Sequence, residues 1–238
     1  MLREIPVKNP PPLRRTRSRK VTYEEYLEIA PENRIMEWVD GEIISYMSAS
    51  IDHQDFVLFL AELIRHFVGA FNLGKVAVAP YEAKLWEGGP AREPDILFVS
   101  NDNLAKIAQM RLYGAPDLAV ELISRSSVRQ DRFKKFGEYE QAGVKEYWLI
   151  DPRPRYKHAE FYIAEAQEDG EMIFVAAELD DNNRFHSAIL PGFWIDVDWL
   201  MENETPDPVA CVADILRTHS DLTDDDRAFY EMMYKRYS

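Results

Sequence analysis

A chain of 238 residues suits one domain of ordinary to large size, or one domain with appendages, and its 46% hydrophobic and 12% aromatic residues are enough for a real core. No apolar run approaches the ~18–20 residues of a membrane-spanning helix. The basic N-terminus lacks the apolar stretch of a secretory signal, and the one cysteine, Cys211, excludes an intramolecular disulfide and a cysteine-based zinc site, so a cytoplasmic protein is the simplest reading.

The net charge of −14 is uneven, because residues 1–20 carry +6 and leave −20 on the remainder. An acidic body argues against general electrostatic capture of nucleic acid, though not against a nuclease whose metal ions offset acids locally. The arm, residues 1–21, with Pro10-Pro11-Pro12, reads as a disordered, solvated tail; phosphate contacts are its alternative use. Thr22 with Glu25 has the pattern of a capping box, which predicts a helix over Tyr23–Ile29 stopped by Pro31. Ile35–Val39, Asp40-Gly41 and Glu42–Tyr46 read as a β-hairpin with a two-residue turn. Ser48–Asp52 is a polar break, and apolar residues at Phe56, Phe59/Leu60, Leu63/Ile64 and Phe67 predict a helix over 53–71.

Lys75–Ala79, Glu82–Trp86 and Glu93–Val99 are strand candidates, and Ser100 caps an expected helix near Asn103–Met110. Asp117–Ile123 is the most continuous apolar run, which suggests a central strand. Arg129–Ala142 reads as a helix packing through Phe133, Phe136 and Tyr139/Glu140, closed by Gly143. Strands are expected at Lys145–Ile150, Ala159–Ile163, Met172–Ala176 and Arg184–Ser187. Helices over Val209–Thr218 and Thr223–Tyr237 follow the compact domain. The pattern predicts an α/β (α+β) fold, a mixed central sheet with helices on its faces. It divides into an arm (1–21), a main domain (22–203) and a C-terminal helical extension (204–238).

Two acids sit in or beside apolar strands. A carboxylate there costs several kcal/mol unless something compensates, and a divalent metal is one compensator. Asp95 follows Pro94 at a strand start and alone reads as easily as a solvent-facing residue. Glu121, among Leu118, Ala119, Val120, Leu122 and Ile123, calls for a partner or a function; the bland alternative is a buried salt bridge. Asp131, Lys135 and Tyr139 are spaced i, i+4, i+8 along one side of a helix, where an ordinary surface ion pair is the alternative. His53 is a cap or a ligand, and Glu42 is a solvent-facing strand residue or a further acid of the same site. Together these types fit metal-assisted phosphodiester cleavage: carboxylates hold magnesium-type ions, the metal activates water and a lysine neutralises the phosphate. No nucleophile elbow, Walker loop, dinucleotide fingerprint or His-Glu-x-x-His is present.

Val39-Asp-Gly-Glu42, His53-Gln54, Glu93-Pro-Asp95, Pro116-Asp-Leu-Ala-Val-Glu121-Leu-Ile-Ser124, Asp131 with Lys135 and Tyr139, Ala142–Pro152 and Leu190-Pro-Gly192 together resemble the bacterial Uma family, within the PD-(D/E)xK nuclease superfamily. The resemblance spans about Tyr23 to Leu200. It implies a restriction-endonuclease-like core and Mg2+ or Mn2+ held by Asp95 and Glu121. The superfamily's lysine stands two residues after the second acid, where Ile123 is found here; Lys135 matches its migrated counterpart. Asp131 and Tyr139 match further positions of that helix, and Glu42 or His53 is the candidate for an additional acid or ligand. The family's Ser-Pro-Ser after the second acid reads Ser124-Arg125-Ser126 here, which removes no proposed ligand. The expected activity is DNA endonuclease, with RNA or branched DNA not separated from it, and a homodimer is expected by analogy. The alternative is a non-catalytic binding or regulatory protein on the same scaffold.

Overall fold

The computed structural model describes residues 20–238 apart from 30–34, 46–48, 125, 126 and 203. The arm up to residue 19, the helix stop at Pro31, the break at Ser48 and the Arg125-Ser126 loop lie outside the described residues. Thr22 and Glu25 form the reciprocal capping box: Glu25 N donates to Thr22 Oγ1 (3.1 Å) and Thr22 N to Glu25 Oε2 (2.8 Å). It starts α1, Tyr23–Ile29. The hairpin of β1 (Met36–Val39) and β2 (Glu42–Ser45) turns through Asp40 (φ 51) and Gly41 (φ 83), the left-handed pair that matches strand twist. The long helix α2 runs Ile51–Ala70, two residues earlier than its apolar spacing suggests, because Ser50 is its N-cap.

The main sheet has six strands in the order β11-β10-β9-β8-β6-β3. These are β3 (Gly74–Val78), β6 (Ile96–Ser100), β8 (Leu118–Leu122), β9 (Glu146–Asp151), β10 (His158–Ala166) and β11 (Met172–Ala176). Only β8 and β9 run parallel; the other pairs are antiparallel. All five residues of β8 are buried, as a strand covered on both faces should be. Leu118, Val120 and Leu122 join the core formed with α2 and with Cys211, Ile215 and Leu216 of α5 (Pro208–Arg217). Ala119 and Ile123 face the opposite core, built with Tyr139 of α3 (Phe136–Ala142). The last helix, α6 (Asp224–Tyr237), packs on α5.

A second sheet, ordered β2-β1-β5-β4-β7, adds β4 (Glu82–Lys84), β5 (Ala91–Arg92) and β7 (Arg111–Tyr113). Its Ala83 and Leu112 belong to the core on the α3 face. The ribbon of β12 (Arg184–His186) and β13 (Trp194–Asp196), followed by α4 (Asp198–Met201), closes the other side.

Three expectations need correction. The strand expected over Glu93–Val99 starts only at Ile96, as β6 of the large sheet; β5 of the small sheet ends at Arg92, and Glu93–Asp95 connect the two. Pro94, which has no N–H to give a ladder, stands at the crossover. The helix expected near 103–110 is a shorter 3₁₀ segment, Asn101–Lys106, followed by β7. The segment before α3 is a π-helical turn, Gln130–Lys135, and its buried residues are Asp131 and Lys135. Phe133 is 72% exposed rather than packed, because polar residues occupy the inner side of the wide turn.

Candidate active site

The ladder between β6 and β8 sets Ile96 opposite Val120. One step further along the same register brings Asp95 opposite Glu121. Strand alternation turns both side chains to the α3 face, with Leu97, Val99 and Ala119. Asp95 Oδ2 accepts a hydrogen bond from Leu122 N (2.7 Å), and Oδ1 lies 3.2 Å from His53 Nε2 in the first turn of α2. Ser50 Oγ accepts from His53 N at 3.2 Å and so holds the start of that helix.

The π turn following β8 returns Lys135 to this place. Lys135 Nζ donates to Glu121 Oε1 (2.8 Å), lies 3.0 Å from Glu37 Oε1 and stands 3.6 Å from Asp131 Oδ1. Tyr139 donates its hydroxyl to the same Glu121 oxygen at 2.7 Å. The structure therefore brings together Asp95, Glu121, Lys135, Asp131, Tyr139 and His53. It leaves Glu42 aside, exposed at the turn end of β2. The acid that the hairpin sends inward is Glu37 of β1, which is fully buried.

Glu37 brings a second layer. Arg92 Nη1 donates to Glu37 Oε2 (2.6 Å), while Arg92 Nε and Nη2 grip Glu138 Oε2 and Oε1 (2.6 and 2.8 Å). Glu138 is on α3, so a fully buried guanidinium ties the small sheet to the helix carrying Tyr139. Glu93 Oε2 accepts from Met36 N (3.2 Å), and Glu93 N donates to Glu37 Oε1 (3.3 Å). The sequence does hold a signal for Glu37: an acid beside Met36, Trp38 and Val39, as conspicuous in principle as Glu121.

Six carboxyl groups thus crowd around two permanent cations and one imidazole. Burial drives the Glu121 carboxyl well above its usual range; Lys135 opposes this, and the charges of Asp131 and Asp95 add to it. Burial also raises Asp131, against the pull of Lys135. It lifts Glu93 to about 8, helped by the charge of Glu37. Burial alone would lower Lys135 and His53, but the acids outweigh it: Glu121 and Glu37 hold the ammonium well above its ordinary value, and Asp95 raises the imidazole. Both oxygens of Asp131 are buried and accept no hydrogen bond among the described residues. The cluster reaches solvent at His53 and Asp95, whose side chains are 15% and 18% exposed, and at Glu138 (19%), against 4% for both Lys135 and Glu121.

The excess of buried acid is chemistry that favours a hard cation. No group of three His, Cys, Asp or Glu side chains among the described residues is already placed to hold one. Among the described residues no helix is long and apolar enough to cross a membrane.

None of the curated proteins matches the chain. Among solved structures, the chain is similar to the crystal structure at 1.96 Å of a putative nuclease belonging to DUF820 from Anabaena variabilis ATCC 29413. The TM-score is 0.58 at 16% identity, with 76% of this chain and 97% of that chain covered, a likeness of fold. The model of the Uma2 family, described as "Putative restriction endonuclease", matches residues 23–198, a span that holds Glu37, Asp95, Glu121 and Lys135 and stops before α5. This chain is a member of the Uma2 family.

Proposed function

We propose that the protein is a metal-dependent endonuclease of the PD-(D/E)xK type, hydrolysing phosphodiester bonds in DNA, with Asp95 and Glu121 as the carboxylates that hold Mg2+ or Mn2+. The observation that carries this reading is the convergence at Glu121: Lys135 reaches it at 2.8 Å from a separate helical turn, and Asp95, one residue before the neighbouring strand β6 and accepting from Leu122 N, lies one step beyond the Ile96–Val120 pair. The donor set fits the ion. Magnesium takes hard oxygen ligands and usually keeps several waters, with only one or two carboxylates from the protein, so a preformed cage of three side chains is not required. Asp131, whose two buried oxygens accept no hydrogen bond among the described residues, supplies further negative charge beside the pair. When bound, such an ion lowers the pKa of water and offsets charge on the attacked phosphate.

The remaining steps belong to the chain. Lys135, held charged by Glu37 and Glu121, places an ammonium where a phosphate oxygen or attacking water is to be oriented. Tyr139 and Glu37 fix that ammonium through Glu121 and directly. His53, at the solvent opening and paired with Asp95, can hold a proton beside the carboxylate assigned to the metal. The basic arm offers phosphate contacts that the net charge of the acidic body disfavours.

A second reading has its own support. Lys135 already satisfies Glu37 and Glu121, and a closed ion network is what a non-catalytic binding module would keep. Cleavage of supercoiled plasmid with Mg2+ or Mn2+ separates the two. The nuclease reading expects nicking by the wild type and a drop of about 10³-fold in Asp95→Ala and Glu121→Ala, the scale of several kcal/mol of transition-state stabilisation. It also expects a metal-induced rise in Tm that Glu121→Ala loses. Equal activity in all three proteins, or no response to millimolar metal, leaves the binding module standing instead.

A further inference from the structure

The turn that sends Asp131 and Lys135 inward presents a different face to solvent. Phe133 is 72% exposed there, flanked by the exposed cations Arg129 and Lys134. Phe133 thus offers a flat apolar ring to solvent with cations on either side of it in the sequence. A second such place lies between β9 and β10, where Tyr156 is 63% exposed, the Arg153 guanidinium sits 4.6 Å from its ring centre, and Arg155 is exposed beside it.

The topology puts these two places together. β8 and β9 are parallel, with Leu122 opposite Ile150, so their C-terminal ends coincide. The Phe133 turn follows the end of β8, and the Tyr156 loop follows the end of β9. β10 starts at that same end, with His158 opposite Asp151. Asp95 precedes β6, which runs antiparallel to β8 and therefore begins there too. Arg132 on the Phe133 turn pairs with Glu160 of β10 at 2.8 Å, which clamps the turn against that strand. From β6 to β10 is three strand intervals, about 15 Å.

We infer that this end of the sheet is a track for single-stranded nucleic acid, on which Phe133 and Tyr156 stack unpaired bases and Arg129, Lys134 and Arg155 neutralise phosphates. The inference deepens the nuclease reading, on which it rests, by naming the substrate class: DNA with unpaired nucleotides. Cations alternating with exposed aromatic rings suit that class, because a base can lie on a ring only when it is out of the duplex stack. A duplex would offer this surface its phosphates and leave both rings unused. The placement is conspicuous in a chain whose net charge is −14.

The test is fluorescence anisotropy in EDTA with the full chain, using fluorescein-labelled (dT)20 and a 20-base-pair duplex. The track predicts that (dT)20 binds at least about tenfold more tightly than the duplex, and that Phe133→Ala and Tyr156→Ala each weaken it by about tenfold. Both side chains are exposed, so thermal melts of these variants should match the wild type. Arg129→Gln with Lys134→Gln should flatten the dependence of log affinity on log salt by roughly 0.7 for each phosphate no longer neutralised. Duplex preference, no binding, or aromatic variants that hold (dT)20 as the wild type does would overturn the track. A changed elution volume of Phe133→Ala with unchanged (dT)20 affinity would do so as well, by giving this face to a protein partner. Because binding is read without metal, a failure to cleave plasmid sinks the nuclease assignment separately from the track.

Discussion

Glu121 and Glu146 are two buried acids on neighbouring parallel strands, facing opposite sides of one sheet, and they have been accommodated in opposite ways. Glu146 is surrounded by neutral donors: Trp148 Nε1 at 2.7 Å, Ala188 N at 2.9 Å and Ser187 Oγ at 3.1 Å. Its oxygens are satisfied within its own core, with no cation among those partners, and it joins the sheet to the segment before β13. Glu121 shares one oxygen between an ammonium and a phenol, and its surroundings contain more acids than cations. A carboxyl satisfied by neutral hydrogen bonds is a structural tie. One held in an excess of like charge stores unfavourable energy that a cation can relieve.

The largest effect expected from breaking this contrast comes at Lys135. Lys135→Met leaves Glu37, Glu121 and Asp131 buried without their ammonium, and should cost about 3–5 kcal/mol in urea unfolding. Manganese should recover part of that loss in the variant, while EDTA should not. The same metal should do nothing for a protein destabilised at Glu146.

Next comes the pH response of Glu146, whose carboxyl burial lifts to about 7 against the pull of its hydrogen bonds. The folded chain therefore keeps this proton between roughly pH 4.5, the ordinary glutamate value, and 7, where the unfolded chain has lost it. Folding binds a proton in that window, so this group's contribution is fully present at low pH and is lost as pH rises through 7. Urea melts at pH 5, 6, 7 and 8 should show the stability of the wild type falling relative to Glu146→Gln as pH climbs. A gap that widens in favour of the wild type would contradict the assignment.

The smallest effect belongs to Glu42, which sits in the same hairpin as Glu37 but faces out. Glu42→Ala should change stability by less than about 0.5 kcal/mol and leave plasmid cleavage at the wild-type rate.

How much of this was legible depended on which physical signal each residue left. Glu121 was readable because its apolar neighbours contradict its charge, and the same five residues announced a strand covered on both faces. The capping box at Thr22 and the Asp40-Gly41 turn were readable because local chemistry decides them. Lys135 and Tyr139 came into view through spacing together with family resemblance. Glu37 stands beside Met36, Trp38 and Val39 and so carries the same kind of signal as Glu121, but in a strand of only four residues, and its partner Arg92 lies 55 residues away. Phe133 was misplaced because apolar residues ordinarily mark the packed side of a helix, and on this turn the buried side is ionic. The late start of the strand expected over Glu93–Val99, at Ile96, is hidden for a similar reason. An apolar run marks a strand, but not that the chain crosses from one sheet to the other over Glu93–Asp95 just before it.

Arg92 carries a consequence for the order in which the molecule becomes competent. It joins Glu37 to Glu138 across sequence separations of 55 and 46 residues, and the acids and lysine between them converge only when those long loops have closed. Non-local contacts of this kind form late, since closure entropy is spent before any of them is rewarded. On the ribosome, a nascent chain that has displayed Glu37, Asp95 and Glu121 still lacks Lys135 and the guanidinium's second anchor. Such a partly made chain carries the acids without their counter-charge.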